Sequence, residues 1–218
     1  MQYEFNTDRP NLSRDLAFLL REMIVDGRLS PGARINEVRL SSELGISRTP
    51  LREALASLVA EQAVLAVPRR GFFVKELTSE EVTHIYPIRA ILDPEALRLS
   101  GIPPSSRLNT LREVAGRLQR TENANEAILL DDTWHRELWS SCPNPVLVHL
   151  IEQFMMRTRR YEMAAMSDRP TVAHSSASKL EIIGHLEQGH LGRACSRLRR
   201  SLNGGAKPVL RWLATRES

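Results

Sequence analysis

The 218-residue sequence lacks most features that mark membrane, secreted or metal-cluster proteins. It has no apolar run near the roughly 18–20 residues that a membrane-spanning helix needs. Its first residues lack the basic-then-apolar pattern of a signal sequence. Its two cysteines, Cys142 and Cys195, lie 53 positions apart and form no metal-binding or redox motif. We therefore expect a protein of the reducing cytoplasm with no membrane partner.

The motifs of common enzyme classes are also missing. We find no P-loop, no GxGxxG, no GxSxG, no HExxH and no paired-cysteine site. The sequence therefore gives no reason to expect an enzyme. Its shares of apolar residues (42%) and charged residues (26%) are instead ordinary for a folded globular chain.

Positive charge is concentrated in one segment. Lys and Arg exceed Asp and Glu by only 30 to 26 in total, but eight basic residues face four acidic ones between Arg28 and Lys75. Only three of the 30 cations are lysines. Because the planar arginine fork suits phosphates and base edges, this segment is typical of nucleic-acid binding, although codon bias also produces arginine-rich chains.

The N-terminal part of the chain predicts three short helices and a small hairpin. Apolar spacing, glycines and caps place these elements at about residues 13–26, 37–44, 47–62, 65–67 and 72–75. The two strands enclose the turn Pro68-Arg69-Arg70-Gly71. A helix, a glycine-containing turn and a second helix form the helix-turn-helix pattern, and the hairpin follows at the position of a wing.

The third helix has an apolar face and a polar face. The predicted buried stripe consists of Leu51, Leu55, Leu58 and Val59. Thr49, Arg52 and Ala56 share another face, with Arg48 beside them. An arginine at this end of a recognition helix can bind guanine bidentately, for about 1–3 kcal/mol of discrimination. A small helical bundle with a solvated charged face is the alternative interpretation.

The segment LSPGARINEVRLSSELGISRTPLREALASLVAEQAVLAVPRRGFFV resembles the winged helix of GntR-family bacterial transcription regulators. The resemblance is carried by LSPG, SRTPLREAL and PRRGFFV. It implies a winged-helix fold that binds a short palindromic operator as a homodimer. The DNA-contacting positions that it implies are Ser47, Arg48, Thr49, Arg52, Arg69, Arg70 and Gly71. Arg39 is added because it adjoins Val38, which aligns with a position where the family often has a contacting arginine.

The rest of the chain predicts helices only. Thr78 and Glu81 have the spacing of a capping box at the start of the first of these helices. The segment IYPIRAILDPEALRLS resembles the first effector-domain helix of the FadR-like (FCD) branch of the same family. The resemblance implies that Arg89 meets an effector carboxylate. The residues alone also allow an ion pair between Arg89 and Asp93, four positions on.

Asp131 and His135 lie four residues apart and therefore share one helix face. Alone, such a pair is more often a hydrogen-bonded surface pair than a metal site. The FCD resemblance implies a divalent cation (Zn, Mn or Ni) held by these two residues and by two histidines on the last two helices. In this chain those two positions fall on Lys179 and Ser201. An ammonium does not bind a metal, and a hydroxyl binds one poorly.

We therefore hypothesise that the metal site is degenerate. In this hypothesis Lys179 supplies a positive charge and either pairs with Asp131 or holds an anionic effector. In the alternative, Lys179 is a surface lysine and the alignment is shifted. His174 precedes the predicted helix 178–189 and would join the site only after such a shift.

Two further groups of residues receive structural predictions. The apolar residues predicted to form the core or a dimer interface are Trp134, Trp139, Phe154, Met155 and Met156. Arg157, Arg159 and Arg160 are predicted to form a solvated face.

Together these patterns predict a mainly α protein with a winged helix-turn-helix domain at residues 10–77 and an all-α helical-bundle effector domain at residues 78–214. We expect a transcriptional repressor whose small effector carries a carboxylate and binds Arg89, Asp131, His135, Lys179 and Ser201. Two alternatives stay open. One is a regulator whose pocket is vestigial. The other is an enzyme in which Asp131 and His135 act together as a general base, with no nucleophile placed near them.

Overall fold

The structure, a computed structural model, describes residues 12–60, 62–76, 78–166 and 169–214. The chain divides into two compact units, Met1–Leu77 and Thr78–Ser218. Residues 10, 11 and 77, which belong to the predicted domain limits, and the side chain of Arg160 lie outside the described residues. Among the described helices, none is long and apolar enough to cross a membrane.

The N-terminal unit contains three helices and a two-stranded sheet. Its elements are α1 (Leu12–Val25), α2 (Glu37–Glu43), α3 (Arg48–Ala60), β1 (Val64–Val67) and β2 (Gly71–Val74). The predicted order of elements is therefore confirmed. The predicted end of α3 at residue 62 is wrong, because Gln62 has a φ of +57°, a left-handed conformation that a helix cannot continue.

The core of this unit is built from the apolar stripes of its helices. Leu16 and Leu20 of α1 and Leu51, Leu55 and Leu58 of α3 are fully buried. This confirms the predicted stripe of α3, except that Val59 is only partly buried and Ala54 takes a core position instead. At the start of α2, the side chain of Asn36 accepts hydrogen bonds from the N–H groups of Val38 and Arg39.

The hairpin pairs β1 and β2 in antiparallel register, from Val64 opposite Val74 to Val67 opposite Gly71. The N–H of Arg70 donates to the carbonyl of Val67 at 3.0 Å and closes the turn. Pro68 and Arg69 occupy its two central positions, and Arg69 has a φ of +62°. A proline followed by a left-handed residue is the pattern of a type II turn, in which the left-handed position favours glycine.

The described part of the C-terminal unit contains helices and their connections but no strand. Its helices are α4 (Ser79–Ser100), α5 (Ser105–Arg120), α6 (Ala124–Leu138), α7 (Pro145–Met166), α8 (Arg169–Glu187) and α9 (Leu191–Ala214). Trp134, Trp139 and Met155 are buried in its core, as predicted, whereas Phe154 and Met156 are half-buried. Pro94 lies inside α4 and cannot donate the helical bond to the carbonyl of Ala90. Arg199 of α9 donates to that carbonyl instead, at 3.2 Å.

The first turn of α4 is only half of the predicted capping box. The hydroxyl of Thr78 accepts from the N–H of Glu81 at 3.1 Å, as expected. The N–H of Thr78, however, donates to the hydroxyl of Tyr161 on α7. The carboxylate of Glu81 accepts from that hydroxyl and from Arg157. A long-range contact has therefore replaced the local one.

The predicted solvated arginine face of α7 is wrong for Arg157 and Arg159. Arg157 forms a salt bridge with Glu81 at 2.8 Å. The side chain of Arg159 is only 8% exposed, and its Nε lies 3.6 Å from a carboxylate oxygen of Asp132 on α6. A run of arginines predicts solvation when each is taken alone, but buried carboxylates on neighbouring helices bring these two inside.

Candidate functional sites

The first candidate site is the exposed surface of the N-terminal unit at the start of α3. The exposed residues of this helix include Arg48, Thr49, Arg52 and Ala56, and Ser47 before it is also exposed. They are presented there because the opposite face of α3 is buried in the core. The small Ala56 side chain leaves room for α3 to approach a flat partner closely. This geometry suits insertion into the major groove of a duplex.

Arg52 is held by an acidic residue of the preceding helix. Its Nε lies 2.5 Å from Oε2 of Glu37, and its Nη2 lies 3.4 Å from Oε1 of the same carboxylate. The Arg52 side chain is 64% exposed and that of Glu37 only 15% exposed. The half-buried Glu37 therefore holds the exposed guanidinium of Arg52 through two contacts. Sequence reasoning missed this contact because the two residues are 15 positions apart and on different helices.

The other predicted cations of this surface differ in their contacts. Arg39 binds Glu43 on its own helix, with 2.6 Å between Nε and Oε1. Arg70 on the hairpin places its guanidinium 5.5 Å from the centre of the Phe73 ring. Arg48 and Arg69 make no ion pair with any described residue. Gly71, the last predicted position, has a φ of +94° and lies beside Arg34.

The second candidate site is a cavity of about 370 Å³ in the C-terminal unit. All five predicted effector-binding residues line it: Arg89 on α4, Asp131 and His135 on α6, Lys179 on α8 and Ser201 on α9. The cavity therefore brings together residues from four helices that are up to 112 positions apart. Its size is within the usual range of small-molecule sites.

Lys179 is buried against Asp131. Only 4% of the residue is exposed, and its Nζ lies 2.6 Å from Oδ1 of Asp131. The ammonium also donates to the hydroxyl of Ser175 at 3.1 Å and lies 4.8 Å from the centre of the Trp134 ring. Burial alone would raise the pKa of Asp131, but Lys179 and then His135 hold that pKa below its usual range.

His135 lies between two aspartates. Its Nδ1 is 3.4 Å from Oδ2 of Asp93, and its Nε2 is 3.5 Å from Oδ2 of Asp131. Burial lowers the pKa of His135 in spite of these carboxylates, so we take the imidazole as neutral at pH 7.

Arg89 is also buried and is already paired. Its Nη2 lies 3.1 Å from Oδ2 of Asp93, and its Nη1 lies 3.3 Å from Oε1 of Glu162 on α7. Burial raises the pKa of Glu162 to about 7, although Arg89 opposes that change. The structure thus shows the Asp93 pair that the sequence left open, and it adds Glu162. From α7 to α8, the groups form the row Glu162, Arg89, Asp93, His135, Asp131 and Lys179.

The donor set of this cavity does not fit the divalent metal that the FCD resemblance implies. One carboxylate oxygen of Asp131 already accepts from the Lys179 ammonium, a group that repels a cation and donates no electron pair. Across the described residues, no three His, Cys, Asp or Glu side chains are grouped so that they could hold a metal. Ser201 offers only a hydroxyl.

The structure also corrects the position of His174. Helix α8 begins at Arg169, so His174 lies within it, and its side chain lines the cavity. The start of α8 was missed because its first residues are rich in serine, threonine and other weak helix formers. Tyr86, Glu162 and Lys207 line the cavity too and were not predicted.

Comparison with known proteins finds one family model in each of the two compact units of the chain. Residues 12–74 match the family model described as bacterial regulatory proteins, gntR family, and residues 84–204 match that of the FCD domain. The Nta operon transcriptional regulator of Aminobacter aminovorans is 33% identical, over 63% of this chain and 67% of that protein. The gluconate operon transcriptional repressor of Bacillus subtilis is 35% identical, over 36% of this chain and 32% of that protein.

The fold has relatives among solved structures. The solved structure of McbR/YncC from E. coli matches this chain with a TM-score of 0.78 and 22% sequence identity. The match covers 91% of this chain and 96% of that one.

Proposed function

The chain belongs to the gntR family of bacterial regulatory proteins, as a DNA-binding transcriptional regulator with an FCD effector-binding domain, and we propose how its parts share this work. Residues 10–77 read the operator. Residues 78–214 bind the effector and hold two chains together as a homodimer. The FCD match accounts for why a cavity lined by polar groups is present in the C-terminal unit.

The N-terminal end of α3 enters the major groove of the operator. The observation that carries this proposal is the exposed face of α3, where Arg48, Thr49 and Arg52 stand opposite a fully buried apolar stripe. Arg48 has no ion-pair partner among the described residues and is available to a base edge or a phosphate. Glu37 fixes the orientation of Arg52, so that the remaining N–H groups of its fork can bind a guanine.

The hairpin is the wing that flanks this contact. Its tip carries Arg69 and Arg70, whose cations suit the phosphate backbone or the minor groove. Ser47 and the N-terminal amides of α3 bind a phosphate, as helix N-termini do. Arg39 is engaged by Glu43 and has to leave it before it can bind DNA.

Two such units in a two-fold dimer read the two halves of a palindromic operator. The proposed role is that of a repressor, which is the role that the name of its gluconate-operon relative states for that protein. The effector then changes operator affinity only as far as it binds one arrangement of the dimer better than the other.

The effector is a small molecule with a carboxylate that binds in the cavity of the C-terminal unit. Arg89, Lys179, His135 and the hydroxyl of Ser201 provide donors there, and Asp131 holds the ammonium of Lys179 in place. Support comes from Nε of the cavity-lining Arg89, which is buried and has no hydrogen-bonding partner among the described residues. Such atoms are rare in folded proteins and are often satisfied by a ligand or water.

The test of DNA reading uses operator fragments selected from genomic DNA. Replacing Arg48 or Arg52 by alanine should weaken binding to the selected operator by roughly tenfold or more, since a bidentate base contact is lost. Arg200→Ala is the matched control, because it removes an exposed arginine of α9 outside the N-terminal unit. Fluorescence anisotropy at fixed salt gives the affinities. Unchanged affinity of both α3 variants, with the fold intact, contradicts the proposal.

The test of effector binding is thermal unfolding in the presence of small carboxylates, sugar acids and amino acids. A ligand of the cavity should raise the melting temperature of the wild-type protein more than that of Arg89→Gln. If no compound of the panel raises the melting temperature, a vestigial pocket is favoured. Turnover of any compound that binds favours an enzyme that uses Asp131 and His135.

A further inference from the structure

The ammonium of Lys179 lies in the cavity next to both residues that would begin a metal site. It touches Asp131 directly, and His135 lies on the other side of the same carboxylate. We propose that this ammonium is a built-in cation that replaces a metal ion in the effector pocket and presents an N–H to an oxyanion of the effector. The inference rests on the proposed effector binding and names the group that receives the ligand.

The burial of Lys179 shows that the fold is arranged around its charge. A lysine is almost never buried unless it is paired, because an isolated ammonium is costly to remove from water. Here the carboxylate of Asp131 and the hydroxyl of Ser175 accept from Nζ at 2.6 Å and 3.1 Å, and the Trp134 ring lies 4.8 Å away. Two residues of α6 and one of α8 therefore hold this charge in place. A surface lysine has no such set of partners.

The ammonium keeps one donor for a ligand. It has three N–H groups, and two are used by Asp131 and Ser175. The third has no acceptor among the described residues, and Lys179 lines the cavity. In this proposal the acceptor for the third N–H is an anionic oxygen of the effector, as in a carboxylate or a phosphate.

The same geometry explains how a metal is excluded. The Oδ1 atom of Asp131, one of the two carboxylate oxygens that could bind a cation, is occupied by Lys179. A divalent ion placed there would meet an ammonium a few ångströms away, and Ser201 adds only a hydroxyl. If Lys179 alone excludes the ion, then a histidine at position 179 should restore a metal site with Asp131 and His135. A second histidine at position 201 would add a fourth ligand.

The experiment measures metal content after the full-length protein is incubated with Zn²⁺, Mn²⁺ or Ni²⁺ and dialysed without chelator. We expect well under one ion per chain for the wild type by plasma mass spectrometry. Lys179→His, or the double variant Lys179→His/Ser201→His, should hold about one ion per chain and should melt at a higher temperature with the ion than without it. Lys207→His is the matched control, since Lys207 lines the same cavity but is exposed and does not contact Asp131.

Several outcomes overturn the inference. One tightly held ion per wild-type chain does so whatever the variants do. If the two variants are folded by circular dichroism and hold no more metal than Lys207→His, Lys179 does not occupy the position of the ion. If they fail to fold, the wild-type measurement still decides. Operator binding by the wild type, measured in parallel, reports on the proposed function separately, because it depends on the N-terminal unit and not on metal content.

Discussion

At the scale of single residues, Arg69 is the clearest case of a conformation kept against its own cost. It holds a left-handed backbone at the tip of the wing, where glycine is favoured. A left-handed residue with a side chain costs roughly 1–2 kcal/mol. Such strain is common where the side chain itself is needed. The guanidinium of Arg69 at the proposed DNA surface is the gain that offsets it.

We therefore predict opposite effects of Arg69→Gly on stability and on DNA binding. Relief of the left-handed strain is partly offset by the roughly 0.5–1 kcal/mol that glycine loses in chain entropy. The variant should be up to about 1 kcal/mol more stable, as measured by denaturant unfolding. Its operator affinity should fall, because a phosphate contact is lost.

Arg70→Gly is the control for this prediction. Arg70 does not have a left-handed backbone and packs over Phe73. Its replacement should lower both stability and affinity. If Arg69→Gly destabilises the protein as much as Arg70→Gly does, the positive φ of Arg69 does not strain the tip of the wing.

A second residue-scale prediction concerns the pH dependence of stability through Glu162. Its pKa is raised from 4.5 to about 7 in the folded chain, mainly by burial, with Arg89 opposing and Asp131 and Asp132 adding to the rise. The folded state therefore holds a proton that the unfolded state has lost between about pH 4.5 and 7. The stability that this proton contributes to the folded state is fully present below pH 4.5 and is lost as the pH rises towards 7.

Glu162→Gln should consequently gain stability over the wild type as the pH rises from 5 to 8, by on the order of 1–3 kcal/mol. The glutamine keeps a carbonyl oxygen for Arg89, whose own pKa is raised by Asp93 and Glu162 against its burial. Urea unfolding of both proteins at pH 5, 6, 7 and 8 provides the comparison. A difference that stays constant over this range would mean that Glu162 does not titrate there.

The sequence predicted individual residues well when they share an element and poorly when they meet across elements. The buried leucines of α3 follow from helical spacing alone. The contacts of Arg52 with Glu37 and of Glu81 with Tyr161 join residues 15 and 80 positions apart, and no local pattern encodes them. The five predicted cavity residues were assigned to one site from the family resemblance, because their spacing along the chain does not show that they meet.

At the scale of elements, two adjacent glycines of α9 both line the cavity but differ in how closely they pack against α4. A Cβ added at Gly204 would meet nothing within 4 Å, whereas one at Gly205 would lie 3.2 Å from a ring carbon of the buried Tyr86. The position of α9 is therefore limited by Gly205 and not by Gly204.

We predict that Gly204→Ala stabilises the protein by about 0.5–1 kcal/mol, the usual gain for alanine over glycine inside a helix. Gly205→Ala should gain less or lose stability, because the new methyl group pushes against Tyr86. For a chain of this length the Gly204 gain corresponds to a rise of roughly 2–4 °C in melting temperature per kcal/mol. Each variant is the other's control. Equal gains in thermal unfolding would show that α9 is free to shift.

The limits of the elements were predicted to within a few residues, except at α8. Periodicity and caps placed α2 and the hairpin because Gly45 and the Pro-Arg-Arg-Gly turn mark their ends. Helix α8 begins nine residues earlier than the predicted 178, at Arg169, in a stretch whose residues do not favour helix. Tertiary packing decides such a segment, since Ser176 is fully buried and donates to the carbonyl of Ala115 on α5.

At the scale of the whole molecule, the two units use their charged residues differently. The N-terminal unit offers exposed arginines to a polyanion, and the C-terminal unit buries its charges in pairs around a cavity. The exposed arginines of the N-terminal unit were predictable from the distribution of charge, whereas the buried ion pairs of the C-terminal unit were not, because most of them join different helices. In the proposed dimer, the two-fold pair of N-terminal units has a spacing that an effector can change, and this would couple the units.

From the proposed dimer we predict that affinity depends strictly on operator geometry. Two half-sites must present their major grooves on one face of the duplex, and the helical repeat is about 10–10.5 base pairs. Inserting five base pairs at the centre of the selected palindrome should turn one half-site to the opposite face. Affinity should then fall to about that of a duplex with a single half-site, since only one N-terminal unit can bind.

Substituting the same central base pairs without changing the length is the control, and it should leave most of the affinity. Sedimentation of the protein–DNA complexes provides the second measurement. It should give two chains on the intact operator. If the lengthened operator binds as tightly as the original, or if one chain occupies the intact palindrome, each N-terminal unit acts alone and the effector domain has no spacing to control.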